Sequence, residues 1–581
     1  MMNFKGARAH KFTESPVLKP LLPAWRARLM VLMILGGFVL LVLWAFYLQV
    51  LNNEFLQEKG ESRYRRDLEI SASRGRIADR NGEVLAISTP MKSIWAVPAD
   101  AKLNAEQQKQ LARLLEMDVK ELSRKLASDK TFVFLRRQLP PEVGERIAAL
   151  KLPGIGQDKE YRRYYPSGEM TAHIVGFTGV DDKGLEGVEL AFQNQLLGHP
   201  GSRSVIKDRR GQIVEDVGSI RPPQDGKDIH LALDSKIQYL AYSQLKQAVT
   251  DFQAKAGGAV VIDAKSGEIL ALANWPTYNP NNRERLSGAQ LRNRAITDTF
   301  EPGSVMKPFT AALALESGKV RFDTVVNCAP GRLTIGTATI SDAHPHGPLT
   351  VAQVIQKSSN VGTAKIAAMM SPREMWEMFD AVGFGQAPKL GFPGEVSGRL
   401  RPWKGWRPIE QATMSYGHGI SVSLLQMARA YTAFAREGDV IPLTLTRAEP
   451  TAVTGNPVFS QQTAREIRAM LEMAVQPGGT APKARVSGYR VAGKTGTAYK
   501  IESGQYVKKY IASFVGFAPV SDPRLIVAVM IDEPGRGCHY GGDVAGPVFS
   551  NVMSGALRTL GIPHDAPVQV AQGTAAGKGA L

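Results

Sequence analysis

The stretch LMVLMILGGFVLLVLWAFYL, residues 29–48, constrains this chain more than any other. It is twenty residues long and carries no charge. An α-helix rises about 1.5 Å per residue, so a run of about 20 apolar residues spans the hydrocarbon core of a bilayer. The cations Lys5, Arg8, Lys11, Lys19, Arg26 and Arg28 precede it against the single acid Glu14. After it, Glu54, Glu58 and Glu61 match or outnumber Lys59 and Arg63. The positive-inside rule places residues 1–28 in the cytoplasm and everything after residue 50 outside. A cleaved signal peptide is the rival reading, but LQVLNNEF offers no small-x-small cleavage site, so an uncleaved anchor over 29–48 is expected.

That topology limits what the remaining chain can do. The excess of 71 Lys+Arg over 54 Asp+Glu gives +17, which fits nucleic acid, anionic lipid, a carboxylate-rich polymer or simply a solvated basic surface. A body outside the cytoplasmic membrane excludes nucleic acid as its main partner. Hydrophobic content of 44% over 581 residues implies folded matter in more than one domain. Cys328 and Cys538 sit in no Cys-x-x-Cys or Cys/His cluster, so no metal is expected, and the sequence leaves their pairing open.

Residues 52–224 mix charged helical patterns, such as NAEQQKQLARLLEMDVKELSRKLASD, with short strands, and RPPQDGKD at 221–228 reads as a linker. Beyond it, GGAVVIDAKSGEILALAN reads as a hairpin turning at Lys265-Ser266-Gly267. Ala/Leu/Met helical patterns fill 291–440, and YIASFVGFAPV and RLIVAVMIDEP read as strands around Ser521-Asp522-Pro523. Helices between strands at both ends predict an α+β domain over 226–565 whose antiparallel sheet is built from distant parts of the chain. Residues 566–581 have little to bury and are expected to be disordered.

Within that domain, FEPGSVMKPF holds Ser304 and Lys307 three positions apart. Pro302-Gly303 ends the preceding element, and FTAALALES closed by Gly318 reads as a helix, so the two side chains share a face. Pro308 forfeits one hydrogen bond, to the Ser304 carbonyl. The pair alone decides nothing, because Ser204-Val-Ile-Lys207 repeats it in an alternating, strand-like stretch where positions three apart face opposite ways. Two further stretches change that: KSSN at 357–360, with Ser358 and Asn360, and AGKTGTA at 492–498, with Lys494, Thr495, Gly496 and Thr497. A bland reading of a solvated strand charge at Lys494 and helix caps at Ser358 and Asn360 stands beside the chemical one. Ser-x-x-K, Ser-x-Asn and Lys-Thr-Gly in order, however, form the signature of serine acyl-transfer enzymes that bind penicillin.

On these motifs the chain resembles a class B penicillin-binding protein, a peptidoglycan D,D-transpeptidase of a Gram-negative bacterium. RGRIADRNGEVLA (74–86), RRYYPSGEMTAHIVGFTG (162–179) and GLEGVELAF (184–192) resemble the family's pedestal motifs, expected to serve turns, ion pairs and packing. RNRAITDTFEPGS, SYGHG (415–419) and HYGGDVAGPVF (539–549) match as well. The resemblance implies a pedestal, dimerisation-like domain at 52–224 and a transpeptidase domain at 226–565, with no cofactor. It implies Ser304 as nucleophile, Lys307 as its base, and Ser358 as relay to the leaving amine. Asn360 would hold the substrate backbone, Lys494-Thr495-Gly496 would lie on an edge strand beside the stem peptide, and Thr495 and Thr497 would bind the terminal carboxylate. The backbone N–H groups of Ser304 and Thr497 would form the oxyanion hole.

Ser-x-Asn in the second motif resembles the septal rather than the elongation subtype. No glycosyltransferase signature precedes residue 226, so a separate membrane polymerase and other divisome proteins are implied as partners, and residues 37–40 offer close-packing room in the anchor. A β-lactam hydrolase or sensor of the same fold would need a water-activating feature such as Glu-x-x-Leu-Asn, which is missing between the second and third motifs. An inert divisome scaffold is disfavoured by the intact motifs.

Overall fold

The computed structural model describes residues 24–51, 65–207, 213–448 and 453–567. The expected tails, up to residue 23 and from 568, and the acid-rich segment after the anchor lie outside the described residues. Two compact units result: residues 1–70 with 200–223, and residues 71–199 with 224–581.

The first unit holds helix α1 (Ala24–Phe46), continued by a π-helical turn, Tyr47–Leu51. The apolar span Trp25–Val50 is longer than the sequence pattern alone indicates, and its large side chains are exposed. Such a surface is stable only in an apolar surrounding. In the same unit Arg65–Ile70 pairs antiparallel with Gly201–Lys207, which pairs with Ile213–Arg221. Ser204 therefore lies on a strand, as the alternation indicated, and is buried.

In the second unit, the strand Val84–Ala96 pairs antiparallel with Val133–Leu139 and Ile155–Tyr164. The long charged helical pattern after residue 104 forms two helices, Ala105–Leu114 and Val119–Leu126. Glu116 turns left-handed and the Asp118 carboxylate caps the second start, a break the leucine spacing did not show. The three pedestal motifs meet at Glu189, whose buried carboxylate accepts from Arg74 Nε and Arg163 Nε, both at 2.6 Å. The Asp79 carboxylate accepts from the N–H groups of Asn81, Glu83 and Ser235, tying the first motif to the helix that opens the C-terminal half.

That half is organised by a five-stranded antiparallel sheet. Its strands are β1 (Ala256–Asp263), β2 (Ile269–Trp275), β3 (Ala492–Glu502), β4 (Gln505–Ala518) and β5 (Leu525–Asp532), in the order β2-β1-β5-β4-β3. The expected hairpin turns at Gly267, whose φ of +75° suits glycine. β1 and β5 are buried along their whole length because both faces are covered, so they read as continuous apolar runs. On one face, α2 (Ser235–Asp251) and the C-terminal helix Gly541–Thr559 pack against Ala259, Val261, Val527 and Val529. On the other, Val260, Ile262, Ala528 and Met530 join a larger core with α3 (Lys307–Glu316), α4 (Val351–Lys357) and α5 (Asn360–Ala367). The region 291–440 is less uniformly helical than its composition indicated. Short antiparallel pairs, Val325–Asn327 with Pro348–Thr350 and Arg332–Ile335 with Ala338–Ser341, interrupt it where Gly331 and Gly336 supply positive φ.

Candidate active site

The Ser304 motif begins as a 3-10 turn, Gly303–Met306, that runs directly into α3 at Lys307. Residues three apart eclipse in a 3-10 turn, so Ser304 and Lys307 occupy one face. Pro308 falls in the first helical turn and costs no hydrogen bond, because the Ser304 carbonyl accepts from the Lys307 N–H instead. Gly303 has φ +60° and donates its N–H to the Gly417 carbonyl at 3.1 Å, so the SYGHG loop supports the turn from below. A Cβ on Gly417 would lie 2.2 Å from the Gly303 carbonyl oxygen.

Lys307 is fully buried and Ser304 half-buried. The Lys307 ammonium donates to the Ser358 carbonyl and, at 3.0 Å, to Ser358 Oγ. Burial, and then the charge of Lys494, hold Lys307 well below the ordinary lysine range, while Asp342 pulls the other way. Lys494, also fully buried, is pushed down by desolvation to about 7. Two neighbouring lysines are thus placed where losing a proton is cheap.

Ser358 closes α4 in the left-handed conformation, φ +60°, and Ser359 opens α5 as its N-cap. The cap reading of this motif therefore holds for Ser358 and falls on Ser359 rather than Asn360. Sharp reversal between two helices is what turns Ser358 towards Lys307. The Asn360 side-chain amide donates to the Ser341 carbonyl at 2.9 Å.

Asp342 was not legible in the sequence, yet it organises this motif. Its carboxylate accepts from Ser359 Oγ at 2.7 Å and from the N–H groups of Asn360 and Val361. Negative charge at the start of α5 suits the helix dipole. The one available signal was an aspartate ending the alternating run RLTIGTATISD, which by itself marks only a turn.

Lys494, Thr495, Gly496 and Thr497 lie on β3, at the outer edge of the sheet. Lys494 Nζ donates to Thr495 Oγ1 at 3.2 Å, Thr480 Oγ1 lies 3.1 Å from the same hydroxyl, and Thr497 Oγ1 accepts from the Gly541 N–H at 3.1 Å. A side chain at Gly496 would meet Ser513 Oγ at 2.3 Å and the Pro302 carbonyl at 2.8 Å. The glycine is what lets β3 lie flush against the Ser304 turn. A Cβ on Gly303 would sit 3.3 Å from the Thr497 carbonyl, so the backbones of the first and third motifs adjoin. All eight expected residues fall in this one locality, whereas Ser204 belongs to the other unit. Cys328 and Cys538 are unpaired.

Residues 257–554 match the penicillin-binding protein transpeptidase domain, and residues 69–231 the penicillin-binding protein dimerisation domain. The chain is 45% identical over 96% of its length to the probable peptidoglycan D,D-transpeptidase PenA of Neisseria gonorrhoeae, covering 97% of that protein. It belongs to the class B penicillin-binding proteins. To the peptidoglycan D,D-transpeptidase FtsI of Escherichia coli K12 this penicillin-binding protein is 42% identical, covering 94% of its own length and 93% of the relative's. Among solved structures it is similar to the apo transpeptidase domain of Burkholderia pseudomallei penicillin-binding protein 3, at 54% identity and TM-score 0.54, covering 58% of this chain and 98% of that one. A peptidoglycan synthetase from Bifidobacterium adolescentis matches 87% of this chain and 99% of that one at 25% identity and TM-score 0.70.

Proposed function

We propose that this class B penicillin-binding protein is a septal peptidoglycan D,D-transpeptidase acting outside the inner membrane. The observation that carries the reading is the fully buried Lys307, bonded to Ser358 and one turn from Ser304. Neutral Lys307 takes the Ser304 proton as Oγ attacks the carbonyl of the penultimate D-alanine of a stem peptide. The tetrahedral oxyanion is held by the backbone N–H groups of Ser304 and Thr497. The C–N bond then breaks, Ser358 passes the proton from Lys307 to the leaving D-alanine amine, and an ester on Ser304 remains. An amine of a neighbouring stem attacks that ester, its proton returns through the same lysine, and a new amide cross-link releases Ser304. Asn360 and the edge of β3 hold the stem backbone, while Thr495 and Thr497, beside Lys494, bind the terminal carboxylate.

The septal assignment rests on Asn at position 360 in the second motif. The basic residues before α1 support an N-terminus in the cytoplasm and the catalytic unit in the periplasm. The transpeptidase half needs glycan polymerised by another enzyme, so a membrane glycosyltransferase and divisome proteins are its partners, and β-lactams, which mimic D-Ala-D-Ala, are its inhibitors. Intact mass after penicillin treatment tests this: one drug equivalent on a peptide within 295–319, stable well beyond normal turnover and lost in Ser304→Ala. An adduct that persists in Ser304→Ala, or that hydrolyses within seconds in the parent, overturns it.

A further inference from the structure

β3 and β4 run on past the sheet. β4 pairs with β5 only from Ile511, whereas its pairing with β3 continues outward from Tyr510 to Gln505, with a bulge after Tyr499. Residues 499–510 therefore form a two-stranded arm, and such a ribbon is marginal in water on its own. Lys500 Nζ pins its base, 2.7 Å from Asp532 and 2.6 Å from Glu533. Its tip is held differently. Tyr506, just past the turn at 503–504, is largely exposed, yet its hydroxyl donates to Glu301, at 3.0 Å to Oε2 and 3.2 Å to Oε1.

Glu301 is buried and stands three residues before Ser304. Its carboxylate also accepts from the Gly419 N–H at 2.7 Å and lies 3.1 Å from His418 Nδ1, which carries a proton because a carboxylate only accepts. One carboxylate thus joins the nucleophile turn, the SYGHG loop and the tip of the arm that continues the edge strand. We propose that Glu301 is a positioning residue, a latch that holds the β3 edge in register with Ser304 through Tyr506 and His418. This rests on the transpeptidase reading for its chemistry, but the tether itself is a property of the fold. Both of its oxygens already face these partners, so the carboxylate orients other groups without contacting the reacting atoms.

The test uses the full-length protein in detergent and benzylpenicillin. Tyr506→Phe removes only a hydroxyl, and Glu301→Gln preserves size. Each is expected to lower the acylation rate constant about tenfold or more with drug affinity within threefold. Amides in 499–509 should exchange with deuterium at least tenfold faster, while those of β1 and β5, and Tm, stay at parental values. The double variant should lose no more than the worse single one, since both cut the same tether. If Glu301→Gln does not fold, Tyr506→Phe alone decides. Parental exchange in the arm, parental acylation despite faster exchange, or multiplicative losses in the double variant each overturn the latch. A parent chain that takes no label at Ser304 overturns the transpeptidase reading instead, while the arm's exchange, read without drug, still decides the tether.

Discussion

At the scale of single residues, the decisive group is an amine stripped of water. Arginine at 307 keeps the charge but cannot shed its proton, so Lys307→Arg should lower penicillin acylation far more than tenfold, a barrier rise well above about 1.4 kcal/mol. Stopped-flow labelling measures it, and acylation within tenfold of the parent would transfer the base role to Ser358. The pH dependence has a definite sign. Only neutral Lys307 accepts a proton, so acylation rises with pH through the Lys307 pKa and is flat above it. Burial and Lys494 lower that pKa while Asp342 raises it. Asp342→Asn should therefore move the acid limb to lower pH while lowering the plateau, because α5 loses the acceptor that caps Ser359, Asn360 and Val361. A limb that stays put or moves to higher pH would mean that Asp342 acts by geometry alone. Ser304, Lys307, Ser358 and Lys494 were legible because their three short motifs, in order, match a known signature, whereas the Ser304–Lys307 spacing alone is repeated at Ser204–Lys207. Asp342 and Glu301 were not, since each is a lone acid whose partners lie elsewhere in the chain, and only folding reveals what it accepts from.

At the scale of elements, hydrophobic alternation, turn residues and the anchor pattern carried most of the architecture. They located the β1–β2 hairpin, the last two strands and the strand that disqualifies Ser204. They did not show that the charged helix after residue 104 would break at Asp118, nor that short β pairs would divide the helical region. Both are breaks set by single caps and glycines rather than by periodicity. Glycine also sets how closely elements meet. Gly417 has φ +87°, and a methyl there would lie 2.2 Å from the Gly303 oxygen and 2.5 Å from its nitrogen. Gly417→Ala should thus displace the nucleophile turn and cut acylation by about a hundredfold or more, roughly 2.7 kcal/mol at the barrier. Labelling kinetics together with circular dichroism would separate this local effect from unfolding. A Gly417→Ala enzyme that labels at the parental rate would show that the turn tolerates the shift.

At the scale of the whole molecule, membrane attachment and chemistry are separable. A chain beginning near residue 52 should react with penicillin at the full-length rate, because every expected site residue belongs to the second unit and none to the helix. Loss of labelling on truncation would place the catalytic boundary further upstream. Stability is less separable. Glu189 sits between two buried arginines, and breaking a buried ion pair from one side costs about 3–5 kcal/mol. Glu189→Gln should lower Tm by several degrees, measurable by calorimetry, and an unchanged Tm would show that the arginines find other acceptors. The order of strands in the sheet also sets a timetable. β1 (Ala256–Asp263) has β5 (Leu525–Asp532) as its inner neighbour, so the centre of the sheet joins segments more than two hundred residues apart. Loop closure over such a separation is slow, and until it happens β1 presents an unpaired apolar edge. Because the chain is synthesised from its N-terminus, Ser304 is made long before Lys494, and both before the strand that completes the sheet. Ser304 therefore waits in an unassembled site while more than two hundred further residues are made. A nascent chain stopped before residue 525 should take no penicillin and should aggregate or be degraded, so the enzyme comes into being only once its last strand has been made.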